Sequence, residues 1–458
     1  MSEDTKIVII GCGAAGATAA QFARKTNRKA EITIIEKSKY SQYSKCGLPY
    51  AISEEIPEFS DLIEYLPEWF EKSKINLLLE TTVEKIDKNK KLIIAKKGAE
   101  ELKVVYDKLI IATGATPTIP PIKSIKDPEK LRKGIFVLRT LDDAKNISEY
   151  IKNSKNAVIV GAGLIGLELA DNFYKKGLNV TVVEALPQIL PNTLDKDMSE
   201  ILLKKIEEKV KIFTNHLALE VKYSEDSLSK VIIKNKESGE EKEISADILV
   251  ISTGCKPNTK LAEDLGCEIG KCKSIVVDST CKTSVDSVFA VGDCTEYIDY
   301  VTGKFVPIGL GSIAVRQGIA AGITAAGGKY ILPSGVLQTC TSDLFGLEIA
   351  AVGTNFNNLD LKVVSGKFNG RSLPEYFPGG KDITIKVSTD EKGKIINAQA
   401  VGSNAAQRIN VFACGILNKM DVNSFRKLET AYAPPVAPTL DPITLVCDII
   451  CKKLEKKR

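Results

Sequence analysis

The 458-residue sequence predicts an α/β fold with two repeated strand–turn–helix units and a third unit of mixed strands and helices at the C-terminal end. Two repeated patterns carry this prediction. A β-branched run breaks into a glycine turn and continues as an apolar helical segment at Gly11 and again at Gly161. A strand followed by a Thr-Gly turn also occurs twice, ending at Gly114 and at Gly254. Because both patterns recur in the same order, the repeat covers a whole domain rather than one motif.

The first unit has the spacing of a dinucleotide-binding turn. KIVII predicts a strand, GCGAAG follows from Gly11 to Gly16, and the next strand ends in Glu36 at the expected distance. Glycines at these positions let the backbone approach a pyrophosphate, and the helix N-terminus attracts its negative charge. The acid accepts hydrogen bonds from ribose hydroxyls. The flanking strands and the acid make this signal stronger than the glycine motif alone.

The second unit repeats this arrangement more cleanly. NAVIV predicts a strand, Gly161, Gly163 and Gly166 form the turn, and the following strand ends in Glu184. Glu184 would repel a phosphate on the ribose 2′-hydroxyl, and binding of that phosphate usually requires a nearby arginine. The next residue is Ala185, so the sequence favours NADH. Two Rossmann-like nucleotide-binding domains are therefore predicted. The C-terminal α+β domain lacks a glycine turn of this kind and is most simply an association domain.

Composition excludes several classes of site. The 11 cysteines include no CxxC pair, and the start MSEDTK lacks the apolar core of a signal peptide, so a reducing, cytoplasmic location is expected. No apolar run is long enough to span a membrane. The single histidine, His216, rules out a multi-histidine metal site. The 63 basic and 58 acidic residues are interspersed, which argues against nucleic-acid binding.

One cysteine stands out by its position. Cys46 lies in YSQYSKCGLPY, directly after the first unit, and a helix is predicted to begin behind it. A helix N-terminus stabilises a thiolate, which is the reactive form of cysteine. Lys45 either lowers the pKa of this thiol by its charge or is a solvated neighbour. Cys46 is therefore predicted to carry the chemistry, against the alternative that it is a small buried hydrophobe like most free cysteines.

Taken together, the two glycine units, the two Thr-Gly turns and the VGD run ending at Asp293 resemble the flavoprotein pyridine nucleotide-disulfide oxidoreductases over the whole chain. The resemblance implies that the first domain binds FAD, that the second binds NADH or NADPH, and that the C-terminal domain forms a homodimer. The implied limits are 1–117 and 248–332 for the FAD domain, 118–247 for the NAD(P)H domain and 333–458 for the dimerisation domain. The implied cofactor-binding residues are Gly11, Gly13, Ala14, Ala15, Gly16, Glu36, Lys37, Val83, Thr113, Gly114, Gly161, Gly163, Leu164, Ile165, Gly166, Glu184, Gly254, Gly292, Asp293 and Ser312.

The cysteine pattern selects a branch of this family. Members with a CxxxxC pair carry a second cysteine where this chain has Ala51, and the CxxxxC at Cys267 and Cys272 lies in a predicted surface turn. Single-cysteine members reduce coenzyme A disulfide or a persulfide, or act as NADH oxidases and peroxidases through a sulfenic acid. The oxidase and peroxidase group places a histidine where this chain has Ala14. The resemblance therefore implies an enzyme that reduces a small disulfide or persulfide, with coenzyme A disulfide as the first candidate. The alternative is an NADH oxidase or peroxidase.

The C-terminal motifs fit the coenzyme A branch. EYFPGG and AYAPP resemble its pattern, so Tyr376 and Tyr432 are expected to reach into the active site of the partner subunit. Tyr432 is the candidate proton donor to the leaving thiolate. Lys25 and Lys74 fall where this branch contacts coenzyme A phosphates, and Lys45 is the third candidate substrate residue. A redox sensor that binds both cofactors without turnover is a further alternative.

Overall fold

The computed structural model describes residues 5–125, 130–353 and 362–456. The helices are α1 Ala14–Thr26, α2 Leu48–Ile52, α3 Pro67–Lys72, α4 Leu141–Ile151, α5 Leu164–Lys175, α6 Lys196–Ile206, α7 Lys260–Leu265, α8 Gly311–Ala325, α9 Ala405–Leu417, α10 Val422–Phe425 and α11 Pro442–Glu455, with 3-10 turns at Lys45–Gly47 and Phe59–Leu62. The strands are β1 Lys6–Ile10, β2 Glu31–Ile35, β3 Ile75–Leu78, β4 Thr81–Asp87, β5 Leu92–Lys97, β6 Glu100–Val105, β7 Lys108–Ile111, β8 Ala115–Pro117, β9 Ile135–Val137, β10 Asn156–Val160, β11 Asn179–Val183, β12 Lys211–Phe213, β13 His216–Ser224, β14 Ser227–Asn235, β15 Glu241–Ser245, β16 Ile248–Ile251, β17 Cys255–Pro257, β18 Ile275–Val276, β19 Val288–Ala290, β20 Thr295–Ile298, β21 Phe305–Pro307, β22 Cys340–Leu344, β23 Leu347–Val352, β24 Val363–Arg371, β25 Asp382–Asp390 and β26 Ile395–Gly402.

The first parallel sheet carries the first glycine turn. Its strand order is β19-β7-β1-β2-β3, and every neighbouring pair is parallel. The central strands are rich in isoleucine and mostly buried, as a parallel sheet covered by helices on both faces requires. The chain leaves this sheet after β7 and returns to it at β19, so the domain is built from two separate segments.

The second parallel sheet repeats the first. Its order is β12-β11-β10-β16-β9, and β10 and β11 flank the second glycine turn as β1 and β2 flank the first. A three-stranded antiparallel sheet follows in each half, β4-β5-β6 in the first and β13-β14-β15 in the second. These matching halves confirm the predicted α/β class with two Rossmann-like domains.

Strand β16 corrects one predicted domain limit. Ile248–Ile251 pairs with β10 on one side and with β9 on the other, inside the second sheet. The sequence predicts that the second domain ends at residue 247, because the segment beyond it echoes the strand and Thr-Gly turn of the first domain. The echo arises because β7 and β16 occupy the same place in two different sheets. The second domain therefore extends at least through residue 251.

The two Thr-Gly turns meet in space. The strands that leave them, β8 and β17, pair antiparallel with each other. Asn258 binds to the first of these turns. Its side-chain nitrogen donates to Thr113 O (3.0 Å), and its backbone carbonyl accepts from Thr113 Oγ1 (2.6 Å). The repeated turns thus form the junction between the two nucleotide-binding domains, with the cavity described below on one side.

The C-terminal domain is an antiparallel sheet in the order β22-β23-β26-β25-β24, with α9 and α11 packed against it. An ion pair attaches this sheet to the second domain, since Lys386 Nζ lies 2.9 Å from Asp195 Oδ2 and 2.7 Å from Asp197 Oδ1. Within the described ranges, no helix is both long and apolar enough to cross a membrane.

Helices α1 and α8 pack with their backbones in close contact. Gly318 and Gly322 of α8 lie against the carbonyl groups of Ala15 and Ala19 of α1, and a Cβ atom at either glycine would collide with those carbonyls. Both helices are rich in alanine and glycine on the shared face, which is buried. This contact fixes the first turns of α1 and α8 beside one another at one edge of the first sheet.

Replacement of Gly322 by alanine tests the importance of this helix contact. The added methyl group meets the Ala19 carbonyl, so the helices must separate and the free energy of unfolding should fall by about 1–3 kcal/mol. Denaturant unfolding measures the change. The matched control is Gly309→Ala just before α8, where an added Cβ meets no atom within 4 Å. Equal stability of the two variants would contradict the close-contact interpretation.

Candidate active site

A single large cavity of about 1560 Å³ joins most of the predicted site residues. It lies at the carboxyl ends of the first-sheet strands and extends to the first turn of α5 and to the C-terminal domain. The predicted residues on its wall are Gly11, Gly13, Ala14, Ala15, Gly16, Glu36, Lys37, Lys45, Cys46, Val83, Thr113, Gly114, Leu164, Ile165, Gly292, Asp293 and Ser312. Residues separated by up to 301 positions in the sequence, from Gly11 to Ser312, therefore share one wall.

Cys46 lies in the 3-10 turn Lys45–Gly47 and is accessible from this cavity. A Cβ atom built on Gly311 would lie 3.9 Å from Cys46 Sγ, so the thiol faces the first turn of α8. The helix behind Cys46, α2, is short and starts at Leu48. The predicted helix thus begins directly behind Cys46, and the N-terminus of α8, more than 260 residues later in the chain, also lies beside the thiol.

The electrostatic environment of Cys46 differs from the prediction. Burial among protein atoms raises the pKa of the thiol, and the charges of Glu168 and Asp293 raise it further. The cation that opposes them is Arg139, which lowers the pKa. The expectation of a lowered pKa was therefore wrong, because desolvation of the thiolate and two nearby carboxylates outweigh one guanidinium.

Glu168 is a site residue that the sequence analysis missed. It lies on α5 and lines the cavity, and Ser342 Oγ of β22 donates to Glu168 Oε1 at 2.7 Å. Burial raises the pKa of this carboxyl group, and the serine hydrogen bond lowers it in part. Its position two residues after Gly166 carries no local signal of a role near Cys46, because the two segments meet only in the folded chain.

Arg139 and Gln42 were also missed, and both suit a polar ligand in the cavity. Arg139 donates from Nη2 to Asp293 Oδ2 at 2.7 Å, whereas its buried Nε has no hydrogen-bond partner among the residues that the structure describes. The side-chain oxygen Oε1 of Gln42 is likewise buried without a partner. Unpaired buried donors and acceptors are costly, so their presence on a cavity wall indicates groups that pair with a bound molecule.

The two predicted ribose acids have matching surroundings. Glu36 accepts hydrogen bonds from Cys12 N (2.7 Å) and Ser38 N (2.8 Å). Glu184 accepts from Ala162 N (2.7 Å) and from the amide two residues beyond itself (2.8 Å). Each carboxylate is therefore held against its own glycine turn, where a nucleotide ribose would lie.

Lys45 lies among the predicted FAD residues. Burial lowers the pKa of its ammonium group and the charge of Arg139 lowers it further, whereas Glu36 and Asp293 raise it. These four charged groups share one end of the cavity. Lys45 thus lies beside the predicted FAD residues, and its role in substrate binding stays a prediction.

The remaining predicted residues do not line this cavity. Tyr376 and Tyr432 are exposed by 72% and 48%, and their hydroxyl oxygens lie 3.0 Å apart on the surface of the C-terminal domain. Lys25 and Lys74 are exposed on the first domain, where Arg24 Nη2 donates to Lys74 O at 2.6 Å. The residues Gly161, Gly163, Gly166, Glu184 and Gly254 also lie outside its wall.

The pH dependence of Cys46 alkylation tests the electrostatic account. The raised pKa means that the thiolate, and with it the alkylation rate, increases only as pH rises through that raised value. Glu168→Gln removes a charge that raises the pKa, so Cys46 should react several-fold faster at neutral pH, and Arg139→Gln should have the opposite effect.

Mass spectrometry of the Cys46 peptide after iodoacetamide treatment of reduced protein measures both rates. Cys414, an exposed cysteine on the same cavity, is the internal control in each sample and should react alike in all variants. A profile of Cys46 that is the same in both variants would contradict the assignment of these charges.

Comparisons with known proteins identify the family of this chain. The sequence profile described as "Pyridine nucleotide-disulphide oxidoreductase" matches residues 5–318. A NADH oxidase from Methanocaldococcus jannaschii is 38% identical over 464 residues, covering 99% of this chain and 100% of that protein. A NAD(P)H coenzyme A polysulfide/persulfide reductase from Pyrococcus horikoshii is 31% identical, covering 97% of this chain and 98% of that protein.

A solved structure gives the same result for the fold. The NAD-dependent persulfide reductase from A. fulgidus superimposes with a TM-score of 0.93 at 32% identity, covering 99% of this chain and 84% of that chain. The resemblance predicted from the glycine units, the Thr-Gly turns and VGD is confirmed. The chain belongs to the pyridine nucleotide-disulphide oxidoreductase family.

Proposed function

We propose that this protein is an FAD-dependent NAD(P)H oxidoreductase that reduces a small-molecule disulfide or persulfide, with coenzyme A disulfide as the first candidate, through Cys46. The observation that carries the proposal is the position of Cys46. Its thiol faces the first turn of α8 and shares one cavity with the first glycine turn and with the first turn of α5. A thiol at this point lies between the two predicted nucleotide sites.

The cavity supports FAD as the resident cofactor. The glycine turn at residues 11–16 permits close approach of a pyrophosphate, and Glu36 lies beside it for a ribose. Arg139 and Gln42 offer the unpaired polar atoms described above. When bound, FAD supplies the two electrons that it takes from NAD(P)H, and the protein positions the reacting disulfide.

The chain's own contribution is a thiolate exchange at Cys46. The thiolate attacks one sulfur of a disulfide RSSR, a new bond forms between Cys46 Sγ and that sulfur, and the other half leaves as RS⁻ and takes up a proton. Two electrons and a second proton then release the bound half as RSH and restore the Cys46 thiolate. A persulfide RSSH reacts in the same way, with release of either RSH or sulfide.

The surroundings of Cys46 support a mixed disulfide with a small thiol. The residue five positions later is Ala51, which is buried, so no thiol stands at the position of the second cysteine in CxxxxC members. Cys267 and Cys272 do not line the cavity, and the Cys272 sulfur lies 3.5 Å from Phe305 O. All 11 cysteines are free thiols, and Cys447 belongs to the core of the C-terminal domain.

The C-terminal domain supports the proposed homodimer. Val436 and Leu440 are exposed by 68% and 62% beside Tyr432 in the chain, which is an unusual amount of apolar surface for one segment. A second copy of the chain would cover it and would bring Tyr376 and Tyr432 to the cavity of the partner. The hydrogen bond from Tyr376 lowers the pKa of Tyr432, which suits Tyr432 to give a proton to a leaving thiolate.

The named relatives support two acceptors. The Pyrococcus horikoshii protein is named a coenzyme A polysulfide/persulfide reductase and the A. fulgidus protein a persulfide reductase. The Methanocaldococcus jannaschii protein is named an NADH oxidase, which supports oxygen reduction as the second candidate. At the histidine position of the oxidase and peroxidase group stands Ala14, the first residue of α1, and this favours the disulfide.

A Cys46→Ser variant tests the main proposal. Loss of the attacking thiolate should reduce NADH-dependent turnover of coenzyme A disulfide or of a persulfide at least about a thousandfold. Ferricyanide takes electrons from a flavin without a thiol, so its reduction by NADH should persist and shows that the variant is folded and holds FAD. If Cys46→Ser still reduced the disulfide at an unchanged rate, the proposal would be wrong. Turnover of unmodified enzyme under air alone, with an oxygen increment on Cys46 by mass spectrometry, would favour the oxidase.

A Tyr432→Phe variant tests the proton donor. Loss of a general acid should lower kcat with coenzyme A disulfide by about 100-fold. In Tyr376→Phe, the matched control, Tyr432 keeps its hydroxyl but loses the hydrogen bond that lowers its pKa, so the basic limb of the pH–rate profile should move upward. Wild-type kcat in Tyr432→Phe would remove this tyrosine from the mechanism and leave the role of Cys46 intact.

A further inference from the structure

The loop after β11 carries the acid expected to bind the adenosine ribose of NAD(P)H. Glu184 is buried, and both of its carboxylate oxygens accept backbone hydrogen bonds, from Ala162 N at 2.7 Å and from Leu186 N at 2.8 Å. These donors offset part of the negative charge that would otherwise repel a 2′-phosphate. The conclusion from sequence that Glu184 favours NADH therefore overstates the repulsion.

A lysine reaches this loop from a distant part of the chain. Lys236 follows β14, and its Nζ donates to Ala185 O at 3.0 Å, the carbonyl directly after the ribose acid. Its backbone is tied to the same place, because Lys236 N donates to Asn215 O at 2.8 Å and Asn215 N donates to Leu186 O at 3.0 Å. The ammonium group is thus held beside the point where a ribose 2′-substituent would lie.

We infer that Lys236 binds the 2′-phosphate of NADPH and so allows the enzyme to use NADPH as well as NADH. In dinucleotide-binding domains a basic residue near the ribose acid accommodates a 2′-phosphate. The fold supplies Lys236 at this point, and an ammonium group with one donor on a carbonyl keeps two for phosphate oxygens. The inference rests on the proposed function, because it takes the second glycine turn as the NAD(P)H site.

The surrounding charges predict use of both nucleotides rather than a strict choice. Two carboxylates face the same region: Glu184, and Glu237, whose Oε1 accepts from Asn215 Nδ2 at 3.3 Å. They oppose a phosphate, whereas Lys236 attracts it. One cation against two carboxylates gives a moderate affinity for NADPH and leaves the ribose hydroxyl contact of NADH available.

Other lysines of this antiparallel sheet are less suited to the role. Lys234 Nζ lies 3.7 Å from Glu241 on the neighbouring strand, and Lys242 Nζ lies 3.4 Å from Glu240. Both are already paired with carboxylates. Lys234 is only two residues from Lys236 on the same hairpin, which makes it a matched control for the loss of one positive charge.

Binding of nucleotide fragments tests the inference without turnover. Adenosine 2′,5′-bisphosphate carries the 2′-phosphate and AMP lacks it, so isothermal titration of the full-length flavoprotein with each isolates this group. Lys236→Ala should weaken bisphosphate binding relative to AMP by about tenfold, which is typical for loss of one charged hydrogen bond. The ratio of kcat/KM for NADPH to that for NADH should fall by a similar factor. Lys236→Arg should retain most of the ratio, and Lys234→Ala should leave it unchanged.

Three results would overturn the inference. The first is an unchanged ratio of kcat/KM values in Lys236→Ala. The second is an equal loss of affinity for both fragments in this variant, which would show that Lys236 only supports the loop. The third is an unmodified enzyme that neither binds the bisphosphate nor uses NADPH. The binding measurements with the two fragments depend neither on Cys46 nor on the electron acceptor. Failure of the inference is therefore distinguishable from failure of the proposed function.

Discussion

The close contact between α1 and α8 is the constraint on which the site depends. Glycines of α8 lie directly against carbonyl groups of α1, so the two helices approach more closely than larger side chains allow. The first turn of α1 belongs to the first glycine turn, and the first turn of α8 meets Cys46 Sγ. One packing contact therefore sets the distance between the first glycine turn and the Cys46 thiol.

The charges around Cys46 come from separate domains. Asp293 and its ion-pair partner Arg139 lie between the first and second domains, and Glu168 reaches the cavity from α5 with a hydrogen bond from Ser342 of the C-terminal domain. Their combined field and the burial of the thiol raise its pKa rather than lower it. The surroundings of the Cys46 thiol thus depend on the packing of all three domains.

The duplicated architecture explains both the success and the error in locating domains. Because β7 and β16 hold equivalent places in two sheets, each is followed by a similar Thr-Gly turn, and the turns meet through β8 and β17. The repeat correctly indicates two domains. It does not indicate to which domain the second copy of the strand belongs, since that is decided by hydrogen bonding to β10.

The sequence by itself determined the fold class, the family, and the two glycine turns with the acids that follow them. It also singled out Cys46 among the cysteines by its position. These features depend on backbone geometry and short spacing, which are local and recur wherever a dinucleotide is bound. Only the tertiary structure revealed Arg139, Gln42 and Glu168 on the cavity wall, the helix that faces Cys46, and Lys236 beside Ala185. Except for Gln42, which lies in the same stretch as Cys46, each of these is brought to its place by segments far apart in the chain. Such contacts arise from the packing of helices and hairpins, and no local pattern of residues encodes them.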